Sequence, residues 1–370
     1  MVKRIVLTGG PSSGKTSVLE KIDQVYSAQG YKVILVDETA TYLINKGIRP
    51  FGEGKIDMVD FQELVLKMQL AKEEVIDRAV ELLGDQNIIV VYDRGAIDNR
   101  AYINEEEFKE VLTRLNHVVT IRELMDKYDL VINLVGCKDF YTTENNAARS
   151  EGADEALQLG DVTLRGWYGH KNIRVVFPKE TLNEKVQEVL NIINGILDEK
   201  EVIRQEKYLI DLKNSDISKV TNSGAGVDIL QTYLMSLEGE ERRLRRVKMN
   251  GSTTYYYSLF RINNDGSKVM VSEKRIDRSI YESLLEFRDK DKVDIKKKRY
   301  YFVYEGGYLH LDMFDGDDEI GILEMNVSKD SKVYVPDYLK VIDIVSGDDA
   351  YANRNLAKKG DVASMVKKHD

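Results

Sequence analysis

A glycine-rich octapeptide near the start of the chain most constrains its fold. Residues 9–16 read GGPSSGKT and fit the pattern G-x-x-x-x-G-K-[ST]. The octapeptide follows the apolar run 4–8 and precedes apolar residues at helical spacing, so we expect a strand, a loop and a helix in succession. In such a unit, glycines let successive backbone N–H groups and a helix N-terminus face a phosphate. The pattern predicts a site for the phosphate chain of a nucleoside triphosphate.

Different groups of the loop are predicted to bind different parts of the phosphate chain. We expect backbone N–H groups to surround the β-phosphate, Lys15 to reach the β and γ oxygens, and the Thr16 hydroxyl to bind Mg²⁺. The predicted phosphate-binding residues are Gly9, Gly10, Ser12, Ser13, Gly14, Lys15, Thr16 and Ser17.

The rest of the first half alternates strands with helices. Short β-branched runs cover residues 4–8, 32–36, 87–92, 130–135 and 174–177, as in buried parallel strands. Helix-length segments separate them, and residues 60–83 show the clearest helical spacing of apolar positions. This alternation predicts an α/β domain with a parallel sheet.

Acidic residues follow two of these strands, at the edge where ligands bind in such sheets. Glu38, after the second strand, is the predicted base or water-orienting residue; capping of the next helix is the alternative. Asp93, after the third strand, is predicted to hold Mg²⁺ through water, and Arg94 beside it can meet phosphate. For Asp98 we expect a solvated turn residue.

The polar stretch 139–171 connects the fourth and fifth strands. In nucleotide kinases this connection forms a mobile lid, and Arg149 is the predicted arginine that neutralises charge on the transferring phosphoryl group. For Trp167 and His170 we expect lid packing or a satisfied surface pair.

Four segments of the first 195 residues carry a family resemblance: LTGGPSSGKT at 7–16, VDETA at 36–40, YDRGAID at 92–98 and RSEGA at 149–153. They resemble the P-loop family that includes the ribosylnicotinamide kinase domain of NadR, and most of all the N-terminal domain of the TRPL translocation defect protein family. The resemblance implies a kinase-like NTP-binding core in which Glu38 or Asp37 stands where related kinases keep a base. It does not identify the phosphoryl acceptor.

The second half has a different residue pattern. After the charged stretch 198–201, alternating tyrosine-rich strands are separated by turn signals, which predicts an antiparallel sheet or barrel with one helix near 279–287. We therefore expect a P-loop domain at 1–198, a second domain at 201–360 and a tail at 361–370.

Cations recur on the strands of the second half. Strand alternation puts Arg243 and Arg245 on one face, and likewise Lys297 and Arg299, while Lys207 and Arg261 occupy comparable places. If the strands close into a barrel, these cations converge on an anion-sized space, which requires a ligand or compensating carboxylates. The alternative is that they lie outward as solvated faces.

The order of short motifs favours the enclosed arrangement. EKYLI at 206–210, QTYL at 231–234, RLR at 243–245, KKRY at 297–300, LDMF at 311–314 and LEMN at 323–326 are similar, in order, to the CYTH domain, the triphosphate tunnel fold. A P-loop domain followed by a CYTH domain is also the arrangement of the TRPL translocation defect family.

The chain departs from the CYTH pattern where the family's hydrolases hold a divalent metal. The glutamates of the ExExK strand are replaced by Ile203 and Gln205, and Asn326 stands where a second late glutamate is common, although Glu324 and Glu273 remain. Because metal-assisted hydrolysis needs such carboxylates, we expect the tunnel to bind a phosphorylated anion without cleaving it.

Composition limits the partners. Acidic residues outnumber basic ones by 63 to 54, a net charge of −9, so nucleic acid is a possible partner that the charge does not indicate. Cys137 is the only cysteine, the four histidines form no metal-ligand motif, and no long apolar run occurs. We expect a cytoplasmic protein without integral membrane association.

Three functions remain open from the sequence. The first is Mg²⁺-dependent binding of ATP or GTP with hydrolysis or γ-phosphate transfer, joined to an anion-binding tunnel. The second is a nucleoside or polynucleotide 5′-kinase whose tunnel processes the phosphorylated end. The third is a non-catalytic, GTP-dependent regulatory module that binds a phosphoinositide or a protein partner.

Overall fold

The chain divides into two units, Met1–Glu201 and Val202–Asp370. The computed structural model describes residues 1–84, 86–115, 119–137, 152–198, 203–263, 268–328 and 332–359. Within them, no helix is both long enough and apolar enough to cross a lipid bilayer.

The first unit is built on a five-stranded parallel sheet with the strand order β2-β3-β1-β4-β5. Its strands are β1 (Val2–Gly9), β2 (Lys32–Val36), β3 (Ile88–Asp93), β4 (Leu130–Leu134) and β5 (Ile173–Val176). The predicted α/β domain with a parallel sheet is therefore confirmed. The β-branched runs form strands because helices cover both faces of the sheet, so that successive side chains on either face are buried and an unbroken apolar sequence is stabilised.

Helices connect these strands and supply the apolar cover. They are α1 (Lys15–Ala28), α2 (Thr39–Asn45), α3 (Met58–Leu83), α4 (Glu105–Arg114), α5 (Ile121–Asp126), α6 (Ala153–Gly166) and α7 (Leu182–Leu197). Helix α3 begins earlier than the spacing predicts because the Asp57 side chain accepts the Val59 N–H and caps it. One core packs α1 and α7 onto the central strands through residues such as Ile22, Val189 and Ile132.

Three residues of the first unit for which the sequence predicted or allowed exposure, Asp98, Trp167 and His170, are buried. Trp167 is fully buried, and its Nε1–H donates to Asp98 Oδ1 over 2.6 Å. Asp98 also accepts the Thr8 hydroxyl at 2.8 Å and the Gly95 N–H at 3.2 Å. The expectation of a solvated Asp98 is wrong, because the carboxylate ties β1, the loop after β3 and the end of α6 together, and of the two alternatives for Trp167 the surface pair is excluded.

His170 is also buried, at 1% exposure, rather than part of a surface pair. The Asn172 N–H lies 3.1 Å from Nδ1, and Nε2 lies 3.0 Å from the Tyr128 carbonyl oxygen, so a neutral ring that donates from Nε2 satisfies both contacts. Burial lowers the pKa of His170 to about 4, although the contact with the Tyr128 carbonyl opposes this shift. The imidazole is a structural, neutral group.

This burial predicts acid sensitivity of the first unit. The pKa of His170 is depressed in the folded state, so its stabilising contribution is present above the unfolded value of about 6.5 and is lost as the pH falls toward 4. From pH 6.5 to 4.5 we expect the free energy of unfolding to fall by about 2 kcal/mol more in the wild type than in His170→Gln. Urea unfolding followed by the fluorescence of Trp167, the single tryptophan, gives the free energy of unfolding of both proteins at each pH. The same pH dependence in the wild type and in His170→Gln would contradict a buried, neutral His170.

The second unit contains a nine-stranded antiparallel sheet with the order β10-β9-β8-β7-β11-β12-β13-β6-β14. Its strands are β6 (Ile203–Asp211), β7 (Ala225–Leu234), β8 (Glu240–Met249), β9 (Ser252–Ile262), β10 (Lys268–Ile276), β11 (Ile295–Tyr304), β12 (Gly307–Phe314), β13 (Ile320–Ser328) and β14 (Lys340–Ile344). The antiparallel prediction is confirmed. No pairing among the described residues joins β10 to β14, so closure into a tunnel barrel stays a prediction.

Short helices cover both faces of this sheet. Helix α8 (Ile217–Ser223) packs Val220 against one face, and α10 (Asn353–Lys359) packs Leu356 and Ala357 against the other. Helix α9 (Arg278–Leu284), with the following 3₁₀ turn, matches the predicted helix near 279–287. The α10-covered face also carries the basic side chains considered below.

Candidate functional site

The loop after β1 has the backbone conformation that its glycines predict. Gly9 has φ of 134°, and a Cβ there would lie 2.2 Å from the Leu134 carbonyl oxygen. Gly14, with φ of 89°, is the N-cap of α1 and lies in the left-handed region. Gly14 favours glycine because an L side chain is strained in the left-handed region, and Gly9 favours glycine because a side chain would collide with β4.

Helix α6 packs directly onto this loop at another glycine. A Cβ on Gly10 would lie 2.5 Å from the Ala156 carbonyl oxygen and 3.2 Å from the Gly160 Cα. The close approach of two backbones holds the loop between β4 on one side and α6 on the other.

Lys15 is held by the loop itself. Its Nζ donates to the Gly9 carbonyl at 3.2 Å and the Gly10 carbonyl at 3.0 Å. Burial lowers the pKa of the Lys15 ammonium to about 8, and Arg94 acts in the same direction. No described carboxylate forms an ion pair with this lysine, so its charge remains available to an anion.

Glu38 and Arg94 form an ion pair beside the loop. Arg94 Nε donates to Glu38 Oε1 over 2.6 Å, and the Thr41 hydroxyl donates to the other carboxylate oxygen at 2.8 Å. Burial would raise the pKa of Glu38, but Arg94 and Lys15 outweigh it and lower the pKa, so the carboxylate is ionised at neutral pH. Glu38 is also the N-cap residue of α2, but its side chain caps no backbone N–H. Asp37, the other candidate, is exposed and does not line the cavity.

Asp93 has an unsatisfied oxygen at the end of β3. Its Oδ1 is buried and has no hydrogen-bond partner among the described residues. Burial raises the pKa of Asp93 to about 6, whereas Lys15 acts in the opposite direction. A buried carboxylate oxygen in the same cavity as the Thr16 hydroxyl fits a divalent cation, which prefers oxygen ligands.

One cavity of about 920 Å³ contains all these groups. Its phosphate end is formed by residues 11–17 together with Glu38, Asp93 and Arg94. The cavity continues to an apolar wall made of Ala40, Ile44, Pro50, Phe51, Met58, Phe61 and Val65. Polar groups that line this part are Gln62, Gln69, Asn99 and Tyr102.

A buried hydrogen-bond chain holds the two segments that carry Glu38 and Arg94. The Thr39 hydroxyl donates to Gln69 at 2.8 Å, and Gln69 donates to Glu73 at 3.0 Å. The Tyr128 hydroxyl donates to the same Glu73 oxygen, at 2.5 Å, and accepts the Ala96 N–H at 3.0 Å. The chain therefore joins the residue after Glu38 to the loop after Arg94.

Sequence reasoning missed several cavity residues. Gln62 and Gln69, which line the cavity, and Glu73, which accepts from Gln69 outside it, lie on α3, where they interrupt an apolar pattern. Lys185 lies on the apolar stripe of α7, and a lysine at such a position was the available signal. Arg149, the predicted lid arginine, lies outside the described residues.

The second-unit sheet gathers most of the predicted cations on one face, here called the basic face: Lys207, Arg243, Arg245, Lys297 and Arg299. The strand registers align them, since Arg245 pairs with Gln231, Gln231 with Ile295, and Lys297 is two residues farther along β11. Arg261 is different. It is exposed and lies on β9 between Phe260 and Ile262, which share the basic face, so strand alternation places Arg261 on the opposite face. Grouping Arg261 with the other cations was wrong.

Carboxylates neutralise much of this face. Asp312 accepts from Lys297 at 2.5 Å and from Arg299 at 2.6 Å, and Lys207 lies 2.9 Å from Glu324. Burial would raise the pKa of Asp312, but Arg299 and Lys297 outweigh it and lower the pKa to about 2. The compensating carboxylates that the sequence left as an alternative are therefore present.

His310, Asp312 and Glu324 also lie close enough to share a metal ion, within 4.8 Å of one another. His310 Nε2 lies 2.7 Å from Glu324, and both carboxylates already accept from lysine or arginine. This arrangement is an ion-pair network, since the carboxylate oxygens that a metal would need already accept from cationic side chains.

Arg243 and Arg245 are less fully paired. Arg245 contacts Glu273 at 2.5 Å, whereas Arg243 stacks on the Phe260 ring at 4.4 Å. The Nε atoms of both arginines are buried without a hydrogen-bond partner among the described residues. Burial lowers the pKa of Arg243 to about 10, and Arg245 acts in the same direction. This end of the basic face has unused donors.

Comparisons with known proteins agree with the first-unit geometry. Residues 4–185 match the model of a family described as an AAA domain. Thymidylate kinase of Oceanobacillus iheyensis is 24% identical over 209 residues, which are 53% of this chain and 92% of that protein.

Solved structures similar to the chain include thymidylate kinase from Ehrlichia chaffeensis. It is 17% identical, covers 52% of this chain and 98% of its own, and gives a TM-score of 0.33. The inorganic triphosphatase NE1496 is 21% identical, covers 42% of this chain and 95% of its own, and gives a TM-score of 0.32.

The contact between Gly10 and α6 provides a test of the loop. In Gly10→Ala, the new methyl group meets backbone at 2.5 Å, so the loop or α6 must move. We expect affinity for Mg·ATP and Mg·GTP, measured by calorimetry, to fall at least about tenfold, which is about 1.4 kcal/mol of binding free energy. Gly166→Ala, at the end of α6, is the control, since the nearest atoms to its added Cβ lie at 3.7 Å, an ordinary van der Waals distance. Equal affinity in both variants would contradict the packing argument.

Proposed function

We propose that the N-terminal unit, a P-loop, kinase-like domain, is an Mg²⁺-dependent phosphotransferase. It moves the γ-phosphoryl group of ATP or GTP to a hydroxyl of a small acceptor. The observation that carries the proposal is the single cavity, in which the phosphate-binding loop, the Glu38–Arg94 pair and an apolar wall meet. A cavity of about 920 Å³ has room for an acceptor beside the phosphate chain.

In this reaction the loop binds the donor phosphates, and Lys15 leaves the Gly9 and Gly10 carbonyls for the β and γ oxygens. Glu38 accepts the proton of the acceptor hydroxyl as that oxygen bonds to the γ-phosphorus. The bond between the γ-phosphorus and the β–γ bridging oxygen breaks, so the products are a nucleoside diphosphate and a phosphomonoester. Arg94 orients Glu38 and adds positive charge near the transferring group.

Thr16 and Asp93 would hold Mg²⁺ in this scheme. Bound there, the cation would neutralise charge on the β- and γ-phosphates. The unsatisfied Asp93 oxygen supports this assignment.

The charge on Glu38 favours a neutral hydroxyl acceptor over a phosphate, because an ionised carboxylate repels a second anion. The apolar wall suits a flat, weakly polar group, and the side-chain amides of Gln62 and Asn99 can meet its polar edge. A nucleoside has this chemistry. The sequence similarity to a protein named thymidylate kinase supports the base and sugar of such an acceptor, but thymidylate is itself a nucleoside monophosphate, so the neutral hydroxyl rests on the charge of Glu38 alone.

Replacement of Glu38 tests the reaction. We expect Glu38→Gln to lower transfer of labelled γ-phosphate from ATP or GTP to a panel of nucleosides about 10²- to 10⁴-fold. Its nucleotide affinity should be kept or slightly raised, because a negative charge beside Lys15 is removed. Asp37→Asn, an exposed neighbour, should transfer at the wild-type rate.

Lys15→Met should bind neither nucleotide. Wild-type hydrolysis of ATP or GTP without any labelled acceptor in the panel would contradict the phosphotransferase proposal. Equal rates in Glu38→Gln and wild type would contradict the role of Glu38.

For the second unit we propose a CYTH-like domain at 201–360 that follows a P-loop domain at 1–198 in the sequence, as in the TRPL translocation defect family. It binds a phosphorylated anion without cleaving it. The unused Nε donors of Arg243 and Arg245 support the binding, and the lysine and arginine partners of Asp312 and Glu324 argue against a hydrolytic metal.

The opposite orientation of Arg261 gives this second proposal a matched control. In the Lys15→Met background, which silences the first site, calorimetry with inorganic tripolyphosphate measures binding to the basic face. We expect Arg243→Gln/Arg245→Gln to lose at least about tenfold in affinity and Arg261→Gln to lose none. Equal binding by both variants would contradict the assignment of the arginines, and release of inorganic phosphate would contradict binding without cleavage.

A further inference from the structure

Lys185 lies buried beside the phosphate-binding loop, and the proposed reaction gives its charge no role. It lies in the first turn of α7, is 7% exposed and lines the same cavity as Lys15. Its Nζ donates to the Ser13 carbonyl at 2.9 Å and the Val135 carbonyl at 2.7 Å. None of the ion pairs in the described part of the chain includes this ammonium.

The contact with Ser13 fixes one peptide group of the loop. A trans peptide holds its C=O and N–H in opposite directions, and none of the described peptide bonds is cis. Because the Ser13 carbonyl points to Lys185, the Gly14 N–H points away from it. That N–H begins the series of amides that leads into α1, the amides expected to meet phosphate.

The bond to Val135 extends this support to the sheet. Val135 directly follows β4, so Lys185 joins α7, the carboxyl end of β4 and the loop through a single ammonium. Carbonyl dipoles satisfy its donors but, unlike a carboxylate, do not cancel its charge. The loop therefore has behind it a cation that forms no ion pair with the described residues, as well as Lys15 within it.

We propose that Lys185 is a second phosphate-binding determinant of the first unit, which orients the Gly14 amide and adds its charge to that of Lys15. This inference rests on the proposed binding of a nucleoside triphosphate. A longer phosphate chain carries more negative charge, so the contribution of Lys185 increases from monophosphate to diphosphate to triphosphate.

Three substitutions separate the charge from the hydrogen bonds. Lys185→Met removes both, Lys185→Gln keeps an amide donor without the charge, and Lys185→Arg keeps both. Lys109→Met is the control, because Lys109 is a lysine on α4 paired with Glu105 and Glu106, and its loss changes the net charge equally.

Calorimetry with ATP, ADP and AMP, and with GTP, GDP and GMP, measures the effect on the full-length protein. For Lys185→Met we expect at least about a tenfold loss of triphosphate affinity, a smaller loss for diphosphate and none for monophosphate. Lys185→Gln should lose less than Lys185→Met, and Lys185→Arg and Lys109→Met should stay within about threefold of wild type. Affinity of the wild type should also fall more steeply with added salt than that of Lys185→Gln.

The outcomes distinguish this inference from the function on which it rests. A wild-type protein that binds no nucleoside triphosphate would overturn both. Wild-type binding with unchanged affinity in Lys185→Gln and Lys185→Met would overturn the inference alone. An equal loss for tri-, di- and monophosphates, accompanied by a lower unfolding midpoint in Trp167 fluorescence, would make Lys185 a structural contact only and would also overturn it.

Discussion

Parallel pairing of β1 with β3, and of β3 with β2, is the constraint on which the first unit depends. It brings the carboxyl ends of these strands to one edge of the sheet, so residues far apart in the chain become neighbours. Glu38 and Arg94, separated by 56 positions, form a 2.6 Å ion pair there. The loop that begins at Gly9 opens at the same edge, so the loop, Glu38 and Arg94 meet there.

The two units treat positive charge differently. Lys15 and Lys185 donate to backbone carbonyls, which satisfy their hydrogen bonds while leaving their charge available to an anion. On the basic face of the second unit, Lys297 and Lys207 are bound by Asp312 and Glu324. A buried charge must have partners, and a carbonyl dipole as partner leaves more of the charge for a ligand than a carboxylate does.

Several side chains were misjudged from the sequence because their partners are distant in the chain. Asp98 reads as a loop aspartate, yet it is buried by Thr8 and Trp167, 90 and 69 positions away. Arg261 reads as one more cation on a strand, but β-sheet register places it on the face opposite Arg243. Local pattern cannot supply either answer, since long-range pairing decides burial and a shift of one residue reverses the face.

The sequence by itself determined the two classes of sheet, the boundaries of the first-unit strands to within two residues and the loop at 9–16, because these depend on neighbouring residues: glycine freedom, β-branching and apolar spacing. Tertiary structure alone decided which carboxylate faces the cavity, with Glu38 inside and Asp37 outside, and which cations are neutralised. It also placed Lys185 behind a loop 172 positions away. Those outcomes depend on how elements pack in space, and no property of a residue's immediate neighbours encodes the distance between two elements.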